Sequence, residues 1–123
     1  MSRNRYPPRR FDAEGRPLCR GCSAPVPRGR RTWCSQRCYD EHDWGQICAR
    51  VWVRDQGTCQ LCRRKIGELK QEWMDRYEAF RRTSPRPRPG YFAEPPPNPQ
   101  YDHIVPFSEG GPTVDENIRL VCL

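Results

Sequence analysis

Apolar residues are scarce in this chain: only 35% of its 123 residues are hydrophobic, and mean hydropathy is −1.02. A chain this short and polar cannot bury a large core, so it ordinarily needs staples such as disulfides or metal. No apolar run approaches the roughly 20 residues of a membrane span. No apolar stretch follows the N-terminal MSRNRYPPRRFD as it would in a secretory signal. These absences argue against a membrane protein and lead us to expect an intracellular, reducing location. There, clustered cysteines read as metal ligands rather than as disulfides. No internal repeat spans the chain, which argues against a solenoid. Histidine occurs twice, as His42 and His103, so any imidazole chemistry has two candidate positions.

The chain does have eight cysteines, fourteen prolines and a net charge of +7. The charge is uneven. Residues 1–31 hold nine arginines and two acids, while the other ninety-two residues carry thirteen charges of each sign. The basicity is therefore an N-terminal feature. It suits contact with a polyanion, and it equally suits a solvated tail. Residues 1–16, dominated by Arg and Pro, are expected to form a disordered basic arm.

Residues 17–43 contain Cys19, Cys22, Cys34 and Cys38 in a C-x2-C-x11-C-x3-C spacing. A Cys-x-x-Cys turn aims two thiolates at one ion, and two such pairs closed by a loop of about a dozen residues complete a tetrahedron. We expect a structural zinc module here. Gly21 would permit the turn, and Ser35 would cap a short helix carrying Cys38. His42 could compete as a ligand, but an exposed helix residue is the simpler reading.

From Trp44 the stretch WGQICARVWVRDQG reads as a helix. Trp44, Ile47, Cys48, Val51 and Trp52 recur at spacings of three and four, and Gly57 is placed to stop it. Cys48 on that stripe reads as a buried, inert thiol. Cys59 and Cys62 form a further C-x-x-C. Residues 63–82 read as an amphipathic helix whose Ile66, Leu69, Trp73, Tyr77 and Phe80 share one face, better suited to packing on the small core than to holding a partner. Residues 83–100 carry seven prolines and are expected to be an extended insertion, a spacer more than a proline-recognition ligand. Beyond it, YDHIVPF alternates like a strand, SEGGPT reads as a turn, and Asn117 follows His103 by fourteen residues.

The combination of Asp102-His103-Ile104-Val105-Pro106, Gly110-Gly111 and Glu116-Asn117-Ile118-Arg119-Leu120-Val121-Cys122 resembles the HNH endonuclease family. The lead-in VRDQGTCQLC is similar too, so the likeness covers roughly residues 50–123. More loosely, a zinc module ahead of such a pattern resembles the nuclease modules appended to some annealing helicases. The resemblance implies a small zinc-stabilised α+β protein: a C4 zinc knuckle, then at 44–123 a ββα-metal domain with a helical and a Pro-rich insertion. In that fold two antiparallel strands lead to a helix, with one divalent ion between them.

Carried over position by position, the resemblance makes His103 the general base on water and Asp102 a ligand of a catalytic Mg²⁺ or Mn²⁺. Asn117 either steadies the loop that orients the base or reaches the ion. Cys59, Cys62 and Cys122 become ligands of a second structural zinc. Arg28, Arg30, Arg31 and Arg119 are the expected contacts to DNA, giving weak sequence specificity.

The chemistry is consistent with these roles. An imidazole can accept a proton at neutral pH, and a hard divalent ion can neutralise a phosphate through carboxylate and water oxygens. Adjacent strand residues face opposite sides, so a twisted or bulged strand end is expected at Asp102-His103. In the family the pattern runs on past the position of Cys122 to a second Cys and a closing helix. The chain is therefore expected to be short of the second zinc's fourth ligand and of the final helix, and to cut DNA weakly. The alternative is a zinc-stapled nucleic-acid-binding or adaptor module without catalysis.

Overall fold

The computed structural model describes residues 6–83, 92 and 94–122. Three helices, α1 (Gln36–His42), α2 (Trp44–Arg54) and α3 (Ile66–Thr83), precede two strands, β1 (Pro99–His103) and β2 (Ile118–Cys122), which pair as one two-stranded sheet. The described residues thus form a small α+β fold with three α-helices and a two-stranded sheet. No helix among the described residues is long and apolar enough to cross a membrane. The chain divides into two compact units, residues 1–51 with 103–119 and residues 52–102 with 120–123.

In the first unit the core is small and built on sulfur. Cys19, Val26 and Cys38 are buried together, with Trp33 and Cys34 packed against them. α1 starts where Ser35 accepts a hydrogen bond from the Cys38 backbone N–H at 3.2 Å, an N-cap that satisfies one of the helix's orphan donors. Asp43 ends α1 and begins α2: its N–H donates to Tyr39 O, and its own carbonyl accepts from Ile47 N. Along α2, Ile47 and Val51, one turn apart, are the buried members of the expected stripe. Cys48 is half-buried rather than buried, because it sits at the flank of that stripe.

Residues 6–16 correct the expectation of a disordered arm. Asp12 accepts from the backbone N–H groups of Glu14 and Arg16 at 3.0 and 2.8 Å, and Gly15 takes the positive φ that the turn needs. Leu18 N then donates to Arg10 O, and Arg9 and Arg10 reach Arg31 O and Ser23 Oγ. Composition alone missed a turn that a single aspartate organises. The first five residues of the expected arm lie outside the described residues.

In the second unit, α2 ends with Gln56 and Gly57 both at positive φ and Gly57 N bonded to Trp52 O, a left-handed helix stop. α3 begins at Ile66 rather than at residue 63, because residues 63–65 close the Cys59–Cys62 turn through a Thr58–Lys65 bridge. Its aromatic face holds Phe92, with the rings of Trp73, Tyr77 and Phe80 at centroid distances of 5.7, 5.5 and 5.3 Å. Trp73 Nε1 donates to Glu94 O at 2.8 Å, and Arg76 pairs with Glu94. Of the expected Pro-rich insertion, 84–91 and 93 lie outside the described residues, and its last two residues, Pro99 and Gln100, belong to β1.

Candidate functional site

The four thiols of the first cluster lie within 4.8 Å of one another, with Cys22–Cys34 and Cys34–Cys38 sulfur separations of 3.4 and 3.6 Å. A tetrahedral zinc with bonds of about 2.3 Å sets its sulfurs about 3.8 Å apart, so the set fits that ion. The turn that makes this possible is local. Ser23 N donates to Cys19 O and Cys19 N to Ala24 O, Leu18 bridges to Pro25, and Ser23 takes a φ of 66°. Gly21 has to be glycine, since a Cβ there would lie 2.3 Å from the His42 ring. His42 is accordingly half-buried and stacked near Trp33, where an exposed helix residue was expected.

The electrostatics of the metal-free thiols are divided. Burial opposes ionisation of Cys19, but N–H groups of Cys22, Cys34 and Gly21 directed at its sulfur outweigh that and bring it down to about 6. Cys38 is pushed up to about 12, by burial first and then by hydrogen bonds to the other three sulfurs. Four sulfurs this close cannot all be thiolates without a cation among them, which is the physical content of a zinc site.

The second cluster comprises Cys59, Cys62 and Cys122, also within 4.8 Å of one another, with Cys62 and Cys122 at 3.6 Å. Its turn repeats the first residue for residue. Arg63 N donates to Cys59 O, Cys59 N to Arg64 O, Thr58 bridges to Lys65, and Arg63 takes a φ of 65°. Cys59 is held down to about 6: burial opposes, and the N–H groups of Cys62, Cys122 and Leu61 prevail. Cys122 is raised to about 11 by its hydrogen bond to Cys59 and by burial.

β2 is brought to this turn by Asp55, a residue to which the sequence pattern assigned no role. Its Oδ2 accepts from Leu120 N at 3.0 Å, while Gln60 N donates to Leu120 O at 2.8 Å. The Asp55 carboxyl lies below the usual carboxylate range: burial pushes it up, and the Arg54 pairing and the Leu120 N–H outweigh that. Two cysteine clusters able to hold a structural metal such as zinc are therefore present, and all eight cysteines are free thiols.

His103 is the last residue of β1, half-buried, with Nε2 3.0 Å from Thr113 Oγ1 and its ring stacked near Trp44 at 5.9 Å. The strand does not continue through Ile104 and Val105, contrary to the alternation in the sequence; both are exposed. The reason is Asn117. Its Oδ1 accepts from Val105 N at 2.9 Å, and its Nδ2 donates to Val105 O and Pro112 O at 3.1 and 2.9 Å. Its backbone O accepts from Ile104 N. The Val105 groups that would extend a ladder are spent on one buried amide. Gly111 completes the lock, because a Cβ there would sit 1.8 Å from Val105 O.

Arg50 adds a tie that sequence reasoning did not find, since its partner lies 65 residues away. It meets Asp115 through Nε at 2.6 Å and Nη2 at 3.0 Å, and it also donates to the carbonyls of Asp40 and Glu41 in the last turn of α1. The turn preceding Asn117 is thereby tied to the helix that carries Cys38.

Comparison with models of protein families, with curated proteins and with solved structures returned no match.

Asp102, the residue before His103 in β1, is half-buried. Among the described residues no group of three His, Cys, Asp or Glu side chains includes Asp102 or His103. Arg28, Arg30 and Arg31 are exposed in the loop between the two cysteine pairs of the first cluster, whereas Arg119 is half-buried in β2.

Proposed function

We propose that the chain is an HNH-type endonuclease module that hydrolyses phosphodiester bonds of nucleic acid. The observation that carries this reading is the Asn117 amide spanning Val105 and Pro112. The resemblance gives the asparagine one of two roles, steadying the loop that orients the base or reaching the ion, and an amide bonded to Val105 and Pro112 supports the first. In the proposed reaction His103 takes the proton of the attacking water. The imidazole is positioned for this by the contact of Nε2 with Thr113 Oγ1 at 3.0 Å. Trp44 restrains the ring plane. Asp102 is the proposed ligand of a divalent ion, which when bound would neutralise charge on the phosphate. Exposed Arg28, Arg30 and Arg31 would hold the backbone through salt-sensitive contacts.

A second reading, a zinc-stapled nucleic-acid-binding module without catalysis, is supported by the two cysteine clusters. A plasmid-nicking assay with Mg²⁺ or Mn²⁺, paired with a binding measurement, separates the two. The nuclease reading expects His103→Ala to lower the cleavage rate by roughly 10²–10⁴-fold, the usual contribution of a general base, at unchanged binding. Binding without any His103-dependent cleavage would leave the second reading standing.

A further inference from the structure

Within the first unit, a cavity of about 440 Å³ is lined by Tyr6, Arg20, His42, Phe107, Gly111 and Thr113, among others. That volume lies in the range of sites that take small organic ligands. Three features give it a chemical character. Arg20, permanently charged, has a buried Nε with no hydrogen-bond partner among the described residues. Its guanidinium lies over the Tyr6 ring, 5.6 Å from the centroid. The aromatic side chains Tyr6, His42 and Phe107 are among the lining residues.

The wall is also stiff. Arg20 sits inside the Cys19–Cys22 turn with its backbone N bonded to Thr32 O, and Tyr6 Oη donates to His42 O. Thr113, on the cavity wall, is the residue that holds His103.

Arg20 lines the cavity, and a guanidinium fork is matched best by phosphate or carboxylate. Aromatic walls take the face of a base regardless of its identity. We infer that this cavity is a nucleotide subsite: it receives one phosphate-bearing nucleotide of the nucleic acid, the phosphate on Arg20 and the base against the aromatic walls, beside the bond that His103 acts on. The inference deepens the nuclease reading by adding a binding site to it.

The test uses the zinc-loaded chain without Mg²⁺, so that nothing is cut, and a fluorescein-labelled single-stranded octanucleotide followed by anisotropy. Arg20→Gln and Tyr6→Leu should each weaken binding roughly tenfold or more, the loss expected for one charged contact or one stacked base. Arg20→Gln should also reduce the slope of log affinity against log salt by about one, which a purely structural role would not do. Arg20→Lys should restore the slope.

Zinc content and far-UV spectra check folding, and Tyr6→Leu, which alters no metal ligand or its neighbour, keeps the test open if Arg20 variants misfold. Deoxyadenosine monophosphate should displace the probe at concentrations where inorganic phosphate does not; equal displacement by phosphate would overturn the inference. Unchanged affinity and slope in folded variants, alongside His103-dependent cutting, would overturn it and leave the nuclease reading intact. Loss of binding in those variants with no cutting at all would do the reverse.

Discussion

The two cysteine turns are one piece of backbone used twice, and what closes each of them differs. In both, the first cysteine is buried and the second exposed, and the residue after the second is left-handed, Ser23 in one and Arg63 in the other. Both leading sulfurs receive N–H groups from the turn and from the third cysteine, and both are held down to about 6. The first turn is closed by a helix start, where Ser35 caps α1 and Cys34 and Cys38 complete four thiols. The second is closed by a strand end, where Asp55 docks Leu120 and Cys122 brings the described thiols to three. The turn sets the sulfur chemistry, and the closing element sets how many ligands arrive.

The largest effect that would sharpen this contrast is metal removal. Structural zinc contributes on the order of 10–16 kcal/mol in small fingers, comparable with the stability of a whole domain. Titration with a chelator, with alkylation and mass spectrometry to map freed thiols, should expose Cys59, Cys62 and Cys122 before Cys19, Cys22, Cys34 and Cys38. Simultaneous release would break the contrast and would mean that a fourth donor, outside the described thiols, serves the second cluster.

The next effect is acid sensitivity, and here the two should agree. A thiol held down to about 6 favours the folded turn above the ordinary thiol pKa of about 8.5, and that advantage is lost as pH falls through about 6. Cys38 and Cys122, raised to about 12 and 11, behave oppositely: their protons must be expelled on zinc binding at any lower pH. Zinc affinity should therefore fall on acidification in both clusters, and more steeply below about pH 6. Competition with a chromogenic chelator across pH reads both slopes.

Smaller still are the closing elements. Asp55→Ala leaves Leu120 N without the acceptor it has in Asp55 and should cost about 1–3 kcal/mol. Ser35→Ala removes only a cap and should cost about 1 kcal/mol. Denaturant melts of the zinc-loaded chain check the order. The smallest changes, Ser23→Gly and Arg63→Gly, should share a sign, each stabilising by no more than about 1 kcal/mol as the left-handed penalty is relieved. Opposite signs would show that the turns are less alike than their hydrogen bonds.

Much of this was legible in the sequence. Cysteine spacing announced the first cluster and the Cys59–Cys62 turn of the second, because a C-x-x-C turn is a local object whose geometry its own few residues determine; Cys122 entered only through the family resemblance. Ser35 and Gly57 were legible for the same reason; Gly21 was expected to free the turn, but the left-handed residue there is Ser23 and the glycine makes room for His42. Helix α2 followed from the periodicity of Ile47 and Val51. What stayed hidden was carried by single side chains acting at a distance. Asp12 organised a stretch that composition called disordered. Asn117 ended a strand that the alternation of Ile104 and Val105 would have continued. Arg50 and Asp55 each found a partner 65 residues away, a pairing with no signature in any window of sequence. Of the candidate site, Asp102, His103 and Asn117 were singled out only by the family resemblance, while Thr113 and Trp44, which touch the imidazole, became visible only in three dimensions.

The shared turn has a consequence for engineering. Residues 18–25 and 58–65 are eight-residue cassettes with the same entry and exit bridge and the same internal closure. Each should be transplantable into the other's place, provided Leu61 of the second cassette becomes glycine where it would face His42. A chimera carrying two copies of one cassette would then isolate the contribution of the surrounding helix or strand to metal capture.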